Sequence, residues 1–137
     1  YRTTVPKNMD RPMIQGSQIH SSLTMLIEYY ETRAEIERNQ ILEFHVRFEQ
    51  IHPFDDGNGR VGRLIMFKEC LRHDIMPFIL DDKRRSRYLQ GIREWFVDRY
   101  ELVDVVMEAQ SRFDAQIQLQ KLAEHRQNFL PVGFMED

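Results

Sequence analysis

Most of the groups that could do chemistry in this chain lie together, in the stretch His52-Pro53-Phe54-Asp55-Asp56-Gly57-Asn58-Gly59-Arg60-Val61-Gly62-Arg63. Read for its parts, this is the end of a helix, a glycine-rich loop and the start of another helix, the layout of a phosphate site. Consecutive backbone amides in such a turn form an anion-holding concavity. A helix beginning near Arg60 adds about half a positive charge at its N-terminus. Arg60 and Arg63 lie three residues apart, so both guanidinium groups can reach a polyphosphate from one helical turn. A carboxylate beside that loop is repelled by phosphate unless a cation stands between them, which makes Asp56 a magnesium ligand. His52 lies at the mouth of the loop. An imidazole, with an ordinary pKa of about 6.5, is the side chain best suited to accept a hydroxyl proton at neutral pH, so His52 reads as a general base. Phe54 alternates with polar neighbours and is expected to point into the core as an anchor for the loop.

The elements that must hold this loop are helical. Pro53 lacks an amide hydrogen and pushes His52 out of helical geometry, so the preceding helix, expected from about Ala34 to Gln50, ends there. Its apolar face is Ile41, Phe44, Phe48 and Ile51. Gly57, Asn58 and Gly59 make left-handed backbone angles cheap at the turn. After Arg60, the residues Val61, Leu64, Ile65, Met66, Phe67, Cys70 and Leu71 are apolar nearly all round, which predicts a central helix buried on most sides. Ahead of these, Ser17 can cap a helix carrying Ile19, Leu23, Leu26, Ile27 and Tyr30 at three- and four-residue spacing. Beyond Pro77 come two more helices, one with Tyr88, Leu89, Ile92, Trp95 and Phe96, the other with Leu102, Val106, Ala109, Phe113 and Ile117, turning polar past about Gln118. Residues 1–16, with Pro6, Pro12 and Gly16, read as an extended, turn-rich segment and a candidate hairpin, and residues 131–137 as a tail. The expectation is one all-α domain over residues 1–137, with its helical core at 17–130 and a small extended element in front.

The bulk properties narrow the function. A chain of 137 residues can bury a core without staples. Nineteen Lys and Arg against 22 Asp and Glu leave a net charge of −3, so neither nucleic acid nor an acidic membrane is an expected partner. Any nucleotide must therefore be held locally. The single Cys70 excludes an internal disulfide and Cys-rich zinc sites, and a reducing compartment, the cytoplasm, is the expectation. No run approaches the ~18 apolar residues of a membrane span, and the start has no signal-peptide apolar core. Opening on Tyr1 and not on Met is what a sequence truncated at its N-terminus would show.

The loop resembles the signature of the Fic family, His-x-Phe-x-Asp/Glu-Gly-Asn-Gly-Arg-x-x-Arg, at every specified position from His52 to Arg63. A weaker likeness extends through Tyr1-Arg2, the helix end Phe48-Glu49-Gln50-Ile51 and the apolar helix behind the loop, over about residues 1 to 100. The resemblance implies a mostly helical fold with a small N-terminal β-hairpin flap, here about Thr4 to Ile14, that aligns a target segment as an added strand. It implies a protein adenylyltransferase that moves AMP from ATP to a Ser, Thr or Tyr hydroxyl of a target protein and releases pyrophosphate. In that scheme His52 is the base and Asp56 holds Mg2+. Gly57 and Gly59 supply the anion-binding backbone, Asn58 and Arg60 steady the α- and β-phosphates, and Arg63 grips the γ-phosphate. Relatives of this kind are often silenced by a helix bearing Ser/Thr-x-x-x-Glu-Gly/Asn. Thr24 to Glu28 comes nearest here, but Tyr29 follows, and Leu23 and Leu26 mark a packing helix. The inhibitory element is expected upstream of Tyr1 or on a separate protein.

Other readings compete. The scaffold can carry UMP or phosphocholine transfer, or phosphate transfer where a lysine replaces the second loop glycine; Gly59 argues against the last. A nucleotide-binding adaptor without turnover is the alternative from another class, and the retained His52 argues against it. His45 and Asp56 invite a zinc reading, but no third and fourth ligands follow. Lys83, Arg84, Arg85 and Arg87 could touch nucleic acid but, beside Asp81 and Asp82, read better as a solvated face. Met25, Met66, Met76 and Met107 are expected as core filler, and aromatic residues on the late helices leave room for a homodimer.

Overall fold

The computed structural model describes residues 1–5 and 13–129 and is all-helical over them, with five α-helices: α1 (Ile19–Glu31), α2 (Arg38–Ile51), α3 (Asn58–Arg72), α4 (Arg85–Glu94) and α5 (Tyr100–Phe129). No strand occurs among the described residues. The flap expected near Thr4 to Ile14 falls largely on residues 6–12, and the tail on 131–137, both outside the described residues.

Local hydrogen bonding explains where the helices begin. A short 3-10 turn, Gly16–Gln18, precedes α1, and the backbone N–H of Gln15 donates to the Gln18 side chain at 3.3 Å, so Ser17 does not cap the helix as expected. The start of α2 lies four residues later than expected. Glu37 is extended, with ψ 174°, and its N–H is taken by Gln40 Oε1 at 2.8 Å, which begins the helix only at Arg38. In contrast, α3 begins at Asn58, ahead of Arg60. Gly57 alone takes the left-handed angle (φ 83°), leaving Asn58 and Gly59 free to be helical. The last helix runs on past Gln118 to Phe129, and the polar stretch expected there, residues 118–128, is exposed.

The hub is α2 and not α3. On one side Phe48 and Ile51 pack against Ile19, Leu23 and Leu26 of α1, with Ile14, Phe54, Val61 and Ile65 at the margin. On the other side Ile41, Leu42 and Val46 join Met66 and Cys70 of α3, Tyr88, Ile92 and Trp95, and Leu102, Val105, Val106 and Ala109 of α5. The expectation that α3 is buried on most sides fails, since Leu64 and Leu71 are 70% and 58% exposed. An apolar pattern without a dominant face cannot say which side meets the neighbours, and here only the Gly62, Met66, Glu69 and Cys70 side is covered. Ile27 and Leu89 are likewise exposed, as are Met25 and Met107; of the methionines expected in the core, Met66 is fully buried.

Two buried polar side chains tie these layers together. Arg2 is 2% exposed and donates from Nε to the carbonyl of His52 (2.6 Å), from Nη1 to Thr4 (2.8 Å), and from Nη2 to Ile14 (2.8 Å) and Ile51 (3.1 Å). Its own N–H donates to Pro53 O at 2.8 Å. Ile51 and His52 close α2, where carbonyls lack intrahelical donors and a cation is favoured. His45, 1% exposed, shares a hydrogen bond between its Nε2 and the hydroxyl of Tyr88, joining α2 to α4. Burial pushes its pKa down from 6.5 to about 4, and the positive charge of Arg63 acts in the same direction.

Arg2→Ala should cost about 2–4 kcal/mol, because it strands several carbonyls that now accept from a charged donor; urea unfolding within 0.5 kcal/mol of the parent, on the order of a surface substitution, would contradict this. The His45 shift sets a pH dependence. Since its folded pKa lies below the unfolded value, the unfolded chain binds the extra proton, and stability declines as pH falls from 6.5 towards 4. The loss is on the order of 3 kcal/mol. His45→Gln should flatten this slope in denaturant titrations across that window, and an unchanged slope would remove His45 as its source.

Candidate functional site

The site is built where α2 stops and α3 starts. His52 closes α2 in the left-handed region (φ 50°, ψ 63°), with its N–H still donating to Phe48 O at 3.0 Å and its carbonyl held by Arg2. That conformation is uncommon outside glycine, and histidine is among the residues that tolerate it best. Pro53 excludes the right-handed alternative. His52 is thus half-buried at the point where α2 gives way to the loop.

The loop is then stapled from inside. Phe54 packs on the α1–α2 core and lies 6.1 Å from the ring of Tyr1, in line with its expected anchoring role. Asn58 is 4% exposed and uses both ends of its carboxamide on one residue: Phe54 N–H donates to Oδ1 at 2.9 Å, and Nδ2 donates to Phe54 O at 2.7 Å. Its side chain thus holds the loop's curvature, while its backbone N–H belongs to the first turn of α3. Val61 N–H is the donor that returns to Gly57 O, at 3.0 Å. The amides ahead of it, in the first turn, have no intrahelical acceptor. Such a turn suits an anion electrostatically.

Around that turn stand the charged side chains. Asp56 is 94% exposed; its Oδ1 accepts Gly57 N–H at 2.8 Å, and its Oδ2 lies 3.6 Å from Arg60 Nη2. Among the described residues no group of three or more His, Cys, Asp or Glu side chains converges, which also leaves His45 and Asp56 without the partners a zinc site needs. A lone exposed carboxylate next to a phosphate-type turn does fit magnesium, which commonly takes one or two protein carboxylates and completes its shell with phosphate oxygens and water. Arg60 is largely exposed, whereas Arg63 folds its guanidinium back over Gly59. A Cβ on Gly59 would stand 2.8 Å from Arg63 Nη1, the far end of a flexible side chain, so a larger residue here would displace the guanidinium from this position.

Several residues of this neighbourhood lie outside the specified positions of the loop signature. Arg2 is remote in sequence, and its role emerges only when residues 1–5 fold against the end of α2. Gly62 occupies a variable position of the signature, yet a Cβ there would meet Glu49 Oε1 at 2.7 Å and the His45 ring at 3.0 Å. A glycine inside a helix is the one hint the sequence offered for it. Tyr88 reads as a core aromatic, and its hydroxyl contact with His45 is a tertiary fact. Two of the four cations in the basic run after Pro77 are engaged within the fold: Arg84 binds Asp81 and Glu108, and Arg87 binds Glu101, Asp104 and Glu108.

Comparison with known proteins agrees with this construction. A probable protein adenylyltransferase of Aquifex aeolicus (strain VF5) is 39% identical over 51 residues, which are 37% of this chain and 15% of that protein. The protein adenylyltransferase Fic of Drosophila virilis is 43% identical over 49 residues, and that of Drosophila melanogaster 39%, covering 36% of this chain and 10% of each relative. The matches thus span far less than two thirds of these relatives' length. A model of the Fic/DOC family matches residues 1–70. With half of the chain matched, and with the helix, loop and helix that carry the signature built as described, this chain belongs to the Fic/DOC family.

Proposed function

We propose that this chain is a protein adenylyltransferase, transferring AMP from ATP to a Ser, Thr or Tyr hydroxyl of a target protein. The observation that carries the reading is the junction of α2 and α3, where a histidine with a constrained backbone opens onto a helix start flanked by two arginines. Relatives named protein adenylyltransferase support the transfer of a nucleotide to protein. No helix among the described residues is long and apolar enough to cross a membrane. The cytoplasm remains our proposal for its location.

In this mechanism His52 accepts the proton of the target hydroxyl as its oxygen attacks the α-phosphorus. The bond to the bridging oxygen breaks, its electron pair leaves with pyrophosphate, and the target retains AMP. The free amides at the start of α3, with Gly57 and Gly59 leaving room for close approach, receive the phosphate oxygens, and Asn58 keeps the loop curved. Arg60 and Arg63 bind the β- and γ-phosphates. Asp56 would hold Mg2+, which when bound neutralises phosphate charge. A base of this kind is worth about 10²- to 10⁴-fold. Residues 4–14 are proposed as the β-hairpin flap that lines up the target segment by strand addition.

ATP labelled at the α- or the γ-phosphate separates the readings. Label on protein from α-labelled ATP alone is expected, and His52→Ala should lose it by about 10³-fold while still binding nucleotide. Label from the γ-position alone would replace this function with phosphorylation, and nucleotide binding without label from either would leave an adaptor.

A further inference from the structure

Behind Arg63 lies a buried polar chain that the transfer mechanism does not use. The Arg63 guanidinium lies beside the hydroxyl of Tyr88 on α4, close enough to act on it by charge, and that hydroxyl is shared with His45 Nε2 on α2. The two rings lie 5.8 Å apart, both buried. His45 and Glu49 reach this place because Gly62 has no side chain; a Cβ there would be 3.1 Å from His45 Nδ1 and 2.7 Å from Glu49 Oε1. Arg63 itself lies over Gly59, at the rim of the loop. We propose that Tyr88, with His45 behind it, is a positioning residue that holds Arg63 over Gly59 in the conformation that receives the terminal phosphate of the nucleotide.

The proton inventory supports this order. A phenol has one proton to donate and two lone pairs to accept with, whereas a guanidinium only donates. With the Arg63 cation beside Tyr88, the phenol proton needs its own acceptor, and His45 Nε2 is the group bonded to that hydroxyl, with the Glu49 carboxylate also near enough to act on it by charge. His45 must then be neutral with its proton on Nδ1; a cationic imidazole would donate to the same oxygen from the other side and leave the phenol proton without an acceptor. Burial, which lowers the His45 pKa to about 4, secures that form at neutral pH. A long flexible arginine loses substantial rotamer freedom when it grips a ligand, and a contact that fixes it beforehand lowers that cost. The chain joins α2, α3 and α4, so the rim of the loop is referenced to the core and not to solvent.

The inference rests on the reading of Arg63 as a clamp for the distal phosphates, and its test keeps the two apart. Titration calorimetry with ATP–Mg2+ and with AMP is run on the parent, Tyr88→Phe, Arg63→Ala and the double variant. Tyr88→Phe keeps the buried ring and removes only the hydroxyl. Its affinity for ATP should fall by about tenfold, its affinity for AMP should not change, and it should have no further effect once Arg63 is Ala. Equal loss for ATP and AMP would make Tyr88 a packing residue and overturn the proposal. An unchanged ATP affinity in Tyr88→Phe, or the same loss with Arg63 absent, would overturn it as well. If Arg63→Ala binds ATP as the parent does, the clamp reading itself has failed, and the positioning role falls with it.

Discussion

The guanidinium of Arg2 sits among four carbonyl oxygens, and two of them, on Ile51 and His52, are the last of α2. Those oxygens are left over whenever a helix ends, and here they are buried against the first residues of the chain, where water cannot serve them. A charged planar group with five donors is one of the few side chains able to satisfy carbonyls arriving from three directions. This contact fixes more than stability. His52 is held at a backbone angle that costs an L-residue about 1–2 kcal/mol in the left-handed region. The arginine on its carbonyl and the proline after it offset that cost and close off the helical alternative. The direction of the imidazole, the point where the loop begins and the path of the chain from Tyr1 to Thr4 all depend on it.

From that fixed point the site divides into an inner and an outer half. The inner half is stapled: Pro53 and Asn58 are buried, Phe54 is seated on the α1–α2 core, and Asn58 closes both hydrogen bonds to Phe54. The outer half is open, with Asp56, Arg60 and Arg63 exposed around the first turn of α3. A rigid curve carrying unsatisfied donors, with exposed charges around it, is what a polyphosphate site requires, because backbone geometry is preset while the ligand supplies the counter-charge. Two histidines of one helix illustrate the contrast. His45 is enclosed, neutral and paired with Tyr88, whereas His52, one residue past the helical end, is half-buried where the loop begins. The same side chain is thus a core hydrogen-bond acceptor in one position and the proposed base in the other, and burial makes the difference.

The far side of the molecule is occupied with holding α4 against α5. Arg84 and Arg87 engage acidic residues of the last helix, with separations between 2.6 and 3.2 Å. These pairs are partly exposed, and each contributes little by itself; they flank the apolar contact of Tyr88 and Ile92 with Leu102, Val105, Val106 and Ala109. They also take up Arg84 and Arg87, two of the four cations of the basic run.

What the sequence determined by itself is local. The proline after His52, the glycine at position 57 and the spacing of Arg60 and Arg63 encode a helix end, a turn and a helix start through short-range sterics, and the structure has all three. The apolar stripes of α1 and α2 were legible for the same reason, since a residue three or four positions on must share a face. The tertiary structure alone decided which helix is central, because the apolar residues of α3 are spread around it and periodicity gives it no single inside. It also decided the partners of the long polar side chains. Arg2 reaches residues some fifty positions away, His45 reaches Tyr88 across 43, and Arg63 rests on a glycine whose missing Cβ leaves the room. Such contacts join residues that no spacing rule connects, and they exist only once the core has brought α2, α3 and α4 together.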